Sequence, residues 1–190
     1  DMGRVALDVG ANTGQWTGKL ADRFLQVVAI EPHPKLARGL RDKFQFNVRV
    51  VKGAAWHCWD RKMLILYPDL RLCRLVDHDL LYSMGPGTNG TEVLCFPIDA
   101  LQLKDVDFIK LDVEGAEVEA LEGAITTLKA YSPVLLIELH SAETRIKIEH
   151  LVTSIGYNII DYIHYPFYNQ RDQREKRLDA LRLWMLARKE

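Results

Sequence analysis

The chain has 190 residues, 48% of them hydrophobic and 27% charged, with a formal net charge of −1. That suits one domain, residues 1–190, with a full core. It leaves no global basic field that would suggest a nucleic-acid binder. No apolar run approaches a membrane span, and the first residues carry no signal-peptide pattern. Cys58, Cys73 and Cys95 are odd in number and lack C-x-x-C spacing, so they read as reduced cysteines of a cytoplasmic protein. The chain opens almost directly on its first strand, as a minimal or shortened domain would.

That first strand is the apolar run from Val5 to Val9, and it breaks into a turn with glycines at positions 10 and 14. Trp16, Leu20 and Phe24 follow at i, i+4, i+8, one face of a helix. Strand, glycine loop and helix is how α/β proteins hold a nucleotide, because glycine lets the backbone approach a ligand and the helix start offers free N–H groups. The loop is not the dinucleotide fingerprint G-x-G-x-x-G, and Gly14 is followed by Gln15-Trp16 rather than the Lys-Ser/Thr of a Walker loop. Asp8 stands at the strand's end, where a pyrophosphate would be repelled. A phosphate-free nucleoside with a cationic tail fits, and S-adenosylmethionine is such a ligand. Asp8, Gly10, Asn12, Thr13 and Gly14 are its candidate contacts.

Gln26 to Ile30 is a second buried strand, ending at Glu31-Pro32. Glu31 follows Asp8 at about the 20-residue distance at which dinucleotide folds place a ribose-binding acid. An acid near a helix N-terminus is the plainer alternative. Pro34 suits a first helical turn, and Leu36, Leu40 and Phe44 continue that helix. Asn47 to Lys52 is a third strand. Gly53-Ala54-Ala55 then offers small residues against which an adenine ring can lie, with Ala54 the candidate contact; a tight strand exit would look the same.

Residues 56–97 are less regular. Met63 to Tyr67 and Thr91 to Phe96 read as a β-hairpin added to the sheet. Between them Tyr82 to Gly90, rich in glycine, reads as a mobile loop, a lid or a plain surface connection. Trp56 and Trp59 are expected to pack in the core. Val106 to Leu111 is a fourth strand, followed by a helix with Val118, Leu121, Ile125 and Leu128 on one face. Pro133 to Leu139 is a fifth strand, apolar except for Glu138, ending at His140. Ser141 caps the next helix, which buries Ile148, Leu151, Val152 and Ile155 and closes at Gly156. Tyr157 to Ile163 and Leu181 to Ala187 are the last strands. The basic stretch between them, with Arg171, Arg174, Lys176 and Arg177, reads as a solvated face or an anion-attracting one.

Alternating strands and helices predict a doubly wound, mostly parallel sheet, with the ligand beyond the strand C-termini at the switch point. With order 3-2-1-4-5, the tips of strands one, four and five are neighbours. They carry Asp8, then Asp112 and Glu114, then Glu138 and His140. So many ionisable groups are costly to gather unless they bind something. Methyl transfer to a hydroxyl needs alignment and removal of a proton. His140 is the expected base at neutral pH, with Glu114 or Asp112 as alternatives. Asp112, Glu138 and His140 are also the candidate ligands of a Mg²⁺ or Mn²⁺ ion that would acidify the hydroxyl.

Asp8-Val9-Gly10-Ala11-Asn12-Thr13-Gly14, Glu31-Pro32, Phe108-Ile109-Lys110-Leu111-Asp112-Val113-Glu114-Gly115-Ala116-Glu117 and Ile137-Glu138-Leu139-His140 together resemble the FkbM-type family of class I S-adenosylmethionine-dependent methyltransferases. The resemblance implies a seven-stranded Rossmann-like sheet of order 3-2-1-4-5-7-6 with its last strand antiparallel. It implies O-methylation, often of sugar or polyketide hydroxyls. Gly10, Asn12 and Gly14 would then hold the cofactor's methionine end, Glu31 its ribose, with Asp112 beside them. The chain departs from the family in its short N-terminus and from Trp56 to Tyr82, regions that usually shape the acceptor pocket. A small-molecule or glycan acceptor is expected. The alternatives are a nucleic-acid methyltransferase, a nicotinamide-dependent oxidoreductase and a non-catalytic binding module.

Overall fold

A computed structural model describes residues 2–69, 73–85, 88–164 and 183–189. Seven strands form the main sheet. They are β1 (Gly3–Val9), β2 (Phe24–Glu31), β3 (Val48–Lys52), β8 (Val106–Leu111), β9 (Val134–Leu139), β10 (Asn158–His164) and β11 (Leu183–Arg188). Their order is β3-β2-β1-β8-β9-β11-β10, with β11 antiparallel to both neighbours and the other pairs parallel. This is the doubly wound order expected from the sequence, and the order reverses between β1 and β8.

The period-2 alternation of strand side chains decides what lies on each face of the sheet. Val5, Leu7 and Val9 join Ile109, Leu111, Leu135, Ile137 and Leu139 in the larger core cluster. Helices α4 (Glu117–Glu122), α5 (Ile125–Tyr131) and α6 (Ala142–Ser154) cover that face. On the other face Ala6 packs with Leu20 of α1 (Gln15–Ala21) and with Val27, and Ala29 packs with Leu40 of α2 (Pro34–Lys43). Strands buried on both faces explain the unbroken apolar runs.

Local chemistry shifts several elements from their expected bounds. Helix α1 ends at Ala21, so Phe24 belongs to β2, where its ring meets Phe108 with centroids 5.9 Å apart. The helix expected from Val118 to Leu128 is two helices. Asp99, in a 3-10 turn, accepts from the backbone N–H groups of Thr126 and Thr127, both at 2.8 Å, and from the Thr127 hydroxyl at 2.7 Å. That carboxylate caps α5 and breaks the run at Gly123-Ala124. His33 caps α2, its Nδ1 accepting from Lys35 and Leu36, and Ser141 caps α6 as expected.

The expected hairpin does not extend the main sheet. Strands β5 (Asp60–Ile65) and β7 (Gly90–Phe96) are antiparallel, but they join β4 (Ala54–Ala55) and β6 (Arg74–Val76) in a separate four-stranded sheet. Gly53-Ala54-Ala55 thus leads from β3 into the second sheet. Tyr82 and Ser83 end the short helix α3 (His78–Ser83) and Gly90 starts β7; residues 86–87 of the expected loop lie outside the described residues. The core expectation for the tryptophans fails at Trp59, which is 63% exposed; Trp56 is half-buried, with the Lys62 ammonium 4.7 Å from its ring centroid. The basic stretch with Arg171, Arg174, Lys176 and Arg177 lies outside the described residues.

Candidate active site

A cleft of about 990 Å³ opens beyond the C-terminal ends of β1, β2, β8 and β9. Gly10, Asn12, Thr13, Glu31 and Ala54 line one part of it, and Asp112, Glu114 and Glu138 another. Its volume lies at the upper end of the range for small-molecule sites.

The two glycines of the β1 loop are required by protein contacts. Gly10 has φ +77°, and a Cβ there would lie 1.8 Å from the carbonyl oxygen of Asp112. Gly14 has φ +81°, and a Cβ there would meet Leu40 and Phe44 of α2. The loop therefore folds tightly against the β8 tip and α2, and this close packing leaves the Gly10–Thr13 backbone along the cleft. Gly14 itself faces α2, away from the cleft.

Glu31 is 5% exposed at the tip of β2. Its two oxygens accept from the backbone N–H groups of Asn12 and His33, each at 2.8 Å. Burial pushes its carboxyl up to about 7, against the opposing effect of those two donors and of the Lys110 ammonium. Each oxygen retains acceptor capacity toward the cleft.

Asp8 does not reach the cleft. It shares a strand face with Ala6, so its side chain points toward α1, where it is fully buried and accepts from the Thr17 hydroxyl at 2.6 Å. Lys110, its register partner on β8, places its ammonium 3.1 Å from Asp8 Oδ1 and 3.7 Å from Asp112 Oδ2, and donates to the Gly10 carbonyl at 2.8 Å. Burial disfavours the charge on Lys110, but Asp8 and Asp112 outweigh it and raise its pKa. The Asp8 charge is thus neutralised, so Asp8 as a cofactor contact, and as a group that would repel a pyrophosphate, is corrected. The missing third glycine of the dinucleotide fingerprint remains.

His140 follows the end of β9 and meets three acids. Its Nδ1 lies 2.9 Å from Glu117 Oε1, and its Nε2 lies 3.5 Å from Glu114 Oε2 and 3.7 Å from Asp112 Oδ1. Glu117 is fully buried, and its Oε1 also accepts from the Val113 and Gly115 N–H groups. Burial lowers the histidine's pKa, but Glu114 and Glu117 raise it further, to about 10. Those acids favour the protonated imidazole, which disfavours His140 as the neutral-pH base expected from the sequence. Glu114 and Asp112, about a quarter exposed, line the cleft.

Glu138 is also separated from the set expected to hold a metal. The ligand atoms of Asp112, Glu114 and His140 lie within 4.8 Å of one another, and Glu114 stands where the sequence suggested Glu138. Side-chain alternation sends Glu138, with Lys110, toward the α1 face, whereas the chain turns after Leu139 and carries His140 over the β8 tip. Lys110, Thr17, Glu117 and the Trp16–Trp184 pair, whose rings meet at 5.7 Å, take part in the site without a role evident from the sequence. A signal for Lys110 was available: a lysine within an apolar strand is buried only with a counter-charge.

The sequence model of the methyltransferase FkbM domain matches residues 8–187. The fold is similar to that of a methyltransferase FkbM from Methylobacillus flagellatus, with TM-score 0.67 and 20% identity, over 97% of this chain and 43% of that one. It is also similar to precorrin 8w decarboxylase from Methanobacterium thermoautotrophicum, with TM-score 0.56 and 18% identity, over 100% of this chain and 82% of that one. A third is precorrin-6y C5,15-methyltransferase from Geobacter metallireducens, with TM-score 0.55 and 12% identity, over 100% and 82%. At these identities the likenesses establish a shared α/β fold. No protein of curated function matches the sequence significantly.

Proposed function

The chain belongs to the FkbM methyltransferase family, and on that premise we propose that it transfers a methyl group from S-adenosylmethionine to a hydroxyl of a small-molecule or glycan acceptor. The observation that carries the reading is one cleft with two unlike walls. The β1 loop and Glu31 form one, and Asp112 and Glu114 form the other, with His140 beside them.

The first wall suits a nucleoside with a cationic tail. Glu31 offers two carboxylate oxygens to a ribose diol. Gly10, Asn12 and Thr13 offer backbone groups along the loop, and Ala54 offers a small apolar surface for the base. When bound, S-adenosylmethionine supplies an electrophilic methyl group on a sulfonium, whose charge favours nearby carboxylates. The chain's own task is to align an acceptor with it and to receive the acceptor's proton. Asp112 and Glu114 would accept a hydrogen bond from the hydroxyl, and the proton would pass to this carboxylate pair as the C–O bond forms and the methyl–sulfur bond breaks, leaving a neutral thioether. His140, anchored by buried Glu117, holds the pair in place. A cytoplasmic setting is part of the proposal, supported by three cysteines that are all free.

Calorimetry with S-adenosylmethionine and with NAD tests the cofactor; a preference for NAD overturns the proposal. Incubation with methyl-labelled cofactor and a panel of sugar and small-molecule alcohols tests the acceptor. Label recovered as a methyl ether supports O-methylation. Label found only on nitrogen or carbon sinks it.

A further inference from the structure

The second wall of the cleft has the makings of a cation site. Asp112 and Glu114 come from the turn after β8, and His140 from the end of β9, so the sheet order brings three ligand types together from two chain segments. One atom from each lies within 4.8 Å of the others. His140 presents Nε2 to both carboxylates, at 3.5 and 3.7 Å. Its other nitrogen is held by Glu117 at 2.9 Å. A carboxylate behind a histidine is the arrangement that fixes the tautomer and direction of a metal-bound imidazole.

Glu117 adds charge behind the histidine. It is fully buried, and its Oε2 lies within the protein without a hydrogen-bond partner. Two half-buried carboxylates, one buried carboxylate and a single imidazole form a locally anionic pocket that opens on the cleft. A divalent cation offsets that charge.

We propose that Asp112, Glu114 and His140 Nε2 bind a divalent cation of the Mn²⁺ type, which displaces the Nε2 proton to solvent, with Glu117 orienting His140 from behind. Two carboxylate oxygens and one imidazole nitrogen are a donor set that Mn²⁺ accepts and that lacks the thiolates of soft-metal sites, and three protein ligands leave positions for water or an acceptor oxygen. The inference rests on the methyl-transfer reading for its use: with the ion bound, Asp112 and Glu114 serve as its ligands, the cation takes the acceptor hydroxyl in their place and lowers its pKa, and the proton leaves to water in the open cleft instead of to the pair. The binding itself needs neither cofactor nor acceptor.

Mn²⁺ alone is the probe. Metal-free protein is titrated with MnCl₂ and bound ion is read by electron paramagnetic resonance. One ion binds to the wild type, and pulsed spectra show nitrogen coupling from the His140 ring. His140→Ala and Glu114→Gln each weaken binding at least tenfold. Glu117→Gln weakens it about 10- to 100-fold, the usual effect of removing such a backing carboxylate. Glu138→Gln leaves it within about threefold. Absent binding, absent nitrogen coupling, or a loss caused by Glu138→Gln and not by Glu114→Gln overturns the site. The coupling is read on unsubstituted protein, so a variant that misfolds does not decide the outcome. S-adenosylmethionine binding is measured in parallel with EDTA present. Binding of the cofactor without Mn²⁺ binding ends this inference and spares the methyltransferase reading; the reverse does the opposite.

Discussion

Gly10→Ala tests the geometry that brings the two walls of the cleft together. The added Cβ would lie 1.8 Å from the Asp112 carbonyl oxygen and 2.9 Å from its carbon, both backbone atoms that no rotamer change can move. The residue also has φ +77°, a conformation that costs a non-glycine about 1–2 kcal/mol. Forcing atoms into packed protein costs about 1–3 kcal/mol more. The expected loss is therefore about 2–5 kcal/mol of stability, with the β1 and β8 tips pushed apart and cofactor affinity reduced at least tenfold. Gly39→Ala is the internal control. It lies within α2 with nothing inside 4 Å of its added Cβ, and it should stabilise by about 0.5–1 kcal/mol. Urea unfolding measures both variants, and calorimetry with S-adenosylmethionine measures the cleft. If Gly10→Ala unfolds within about 0.5 kcal/mol of wild type and binds the cofactor equally well, the close contact of the two tips is wrong.

Lys110→Met should cost about 3–5 kcal/mol, because it strands the Asp8 charge in the interior. The double variant with Asp8→Asn should recover at least half of that in urea unfolding, and a single-variant loss under about 1 kcal/mol would refute the pairing. Glu31 has a folded pKa raised to about 7 from 4.5, so its contribution to stability is full below pH 4.5 and is lost as pH rises through about 7. Glu31→Gln should therefore gain on the ligand-free wild type by up to about 3 kcal/mol between pH 4 and 8; a pH-independent difference would contradict the burial argument. In metal-free protein the His140 ring, with its pKa raised to about 10 from 6.5, should stay charged from pH 5 to 9 by NMR. Its stabilising contribution is full below pH 6.5 and fades as pH rises through about 10; a titration near pH 6.5 would restore it as a base.

Much of the fold was legible because its signals are local. The apolar runs at Val5–Val9 and Val134–Leu139, Pro34 after Glu31, and Ser141 before Ala142 mark strands and caps through neighbours in the chain. Right-handed crossovers between such elements leave few topologies, and the expected strand order is the observed one. Local signals failed where a distant group intervened. Asp99 split a continuous helical pattern in two, and the strands between residues 60 and 96 paired with one another instead of the main sheet.

The site shows the same division. The sequence alone determined that acids and a histidine stand at neighbouring strand ends, since spacing places Asp8, Asp112, Glu138 and His140 there whatever their side chains do. Tertiary structure alone decided which of them meet. One step along a strand turns a side chain to the opposite face, so Asp8 and Glu138 point to the α1 side. The turns beyond β8 and β9 bring Asp112, Glu114 and His140 together. The charge on each group then follows from partners far off in the chain: the Lys110 ammonium lies against Asp8, and Glu117 and Glu114 raise the pKa of His140. Protonation depends on distance and burial, and neither can be read from residue order.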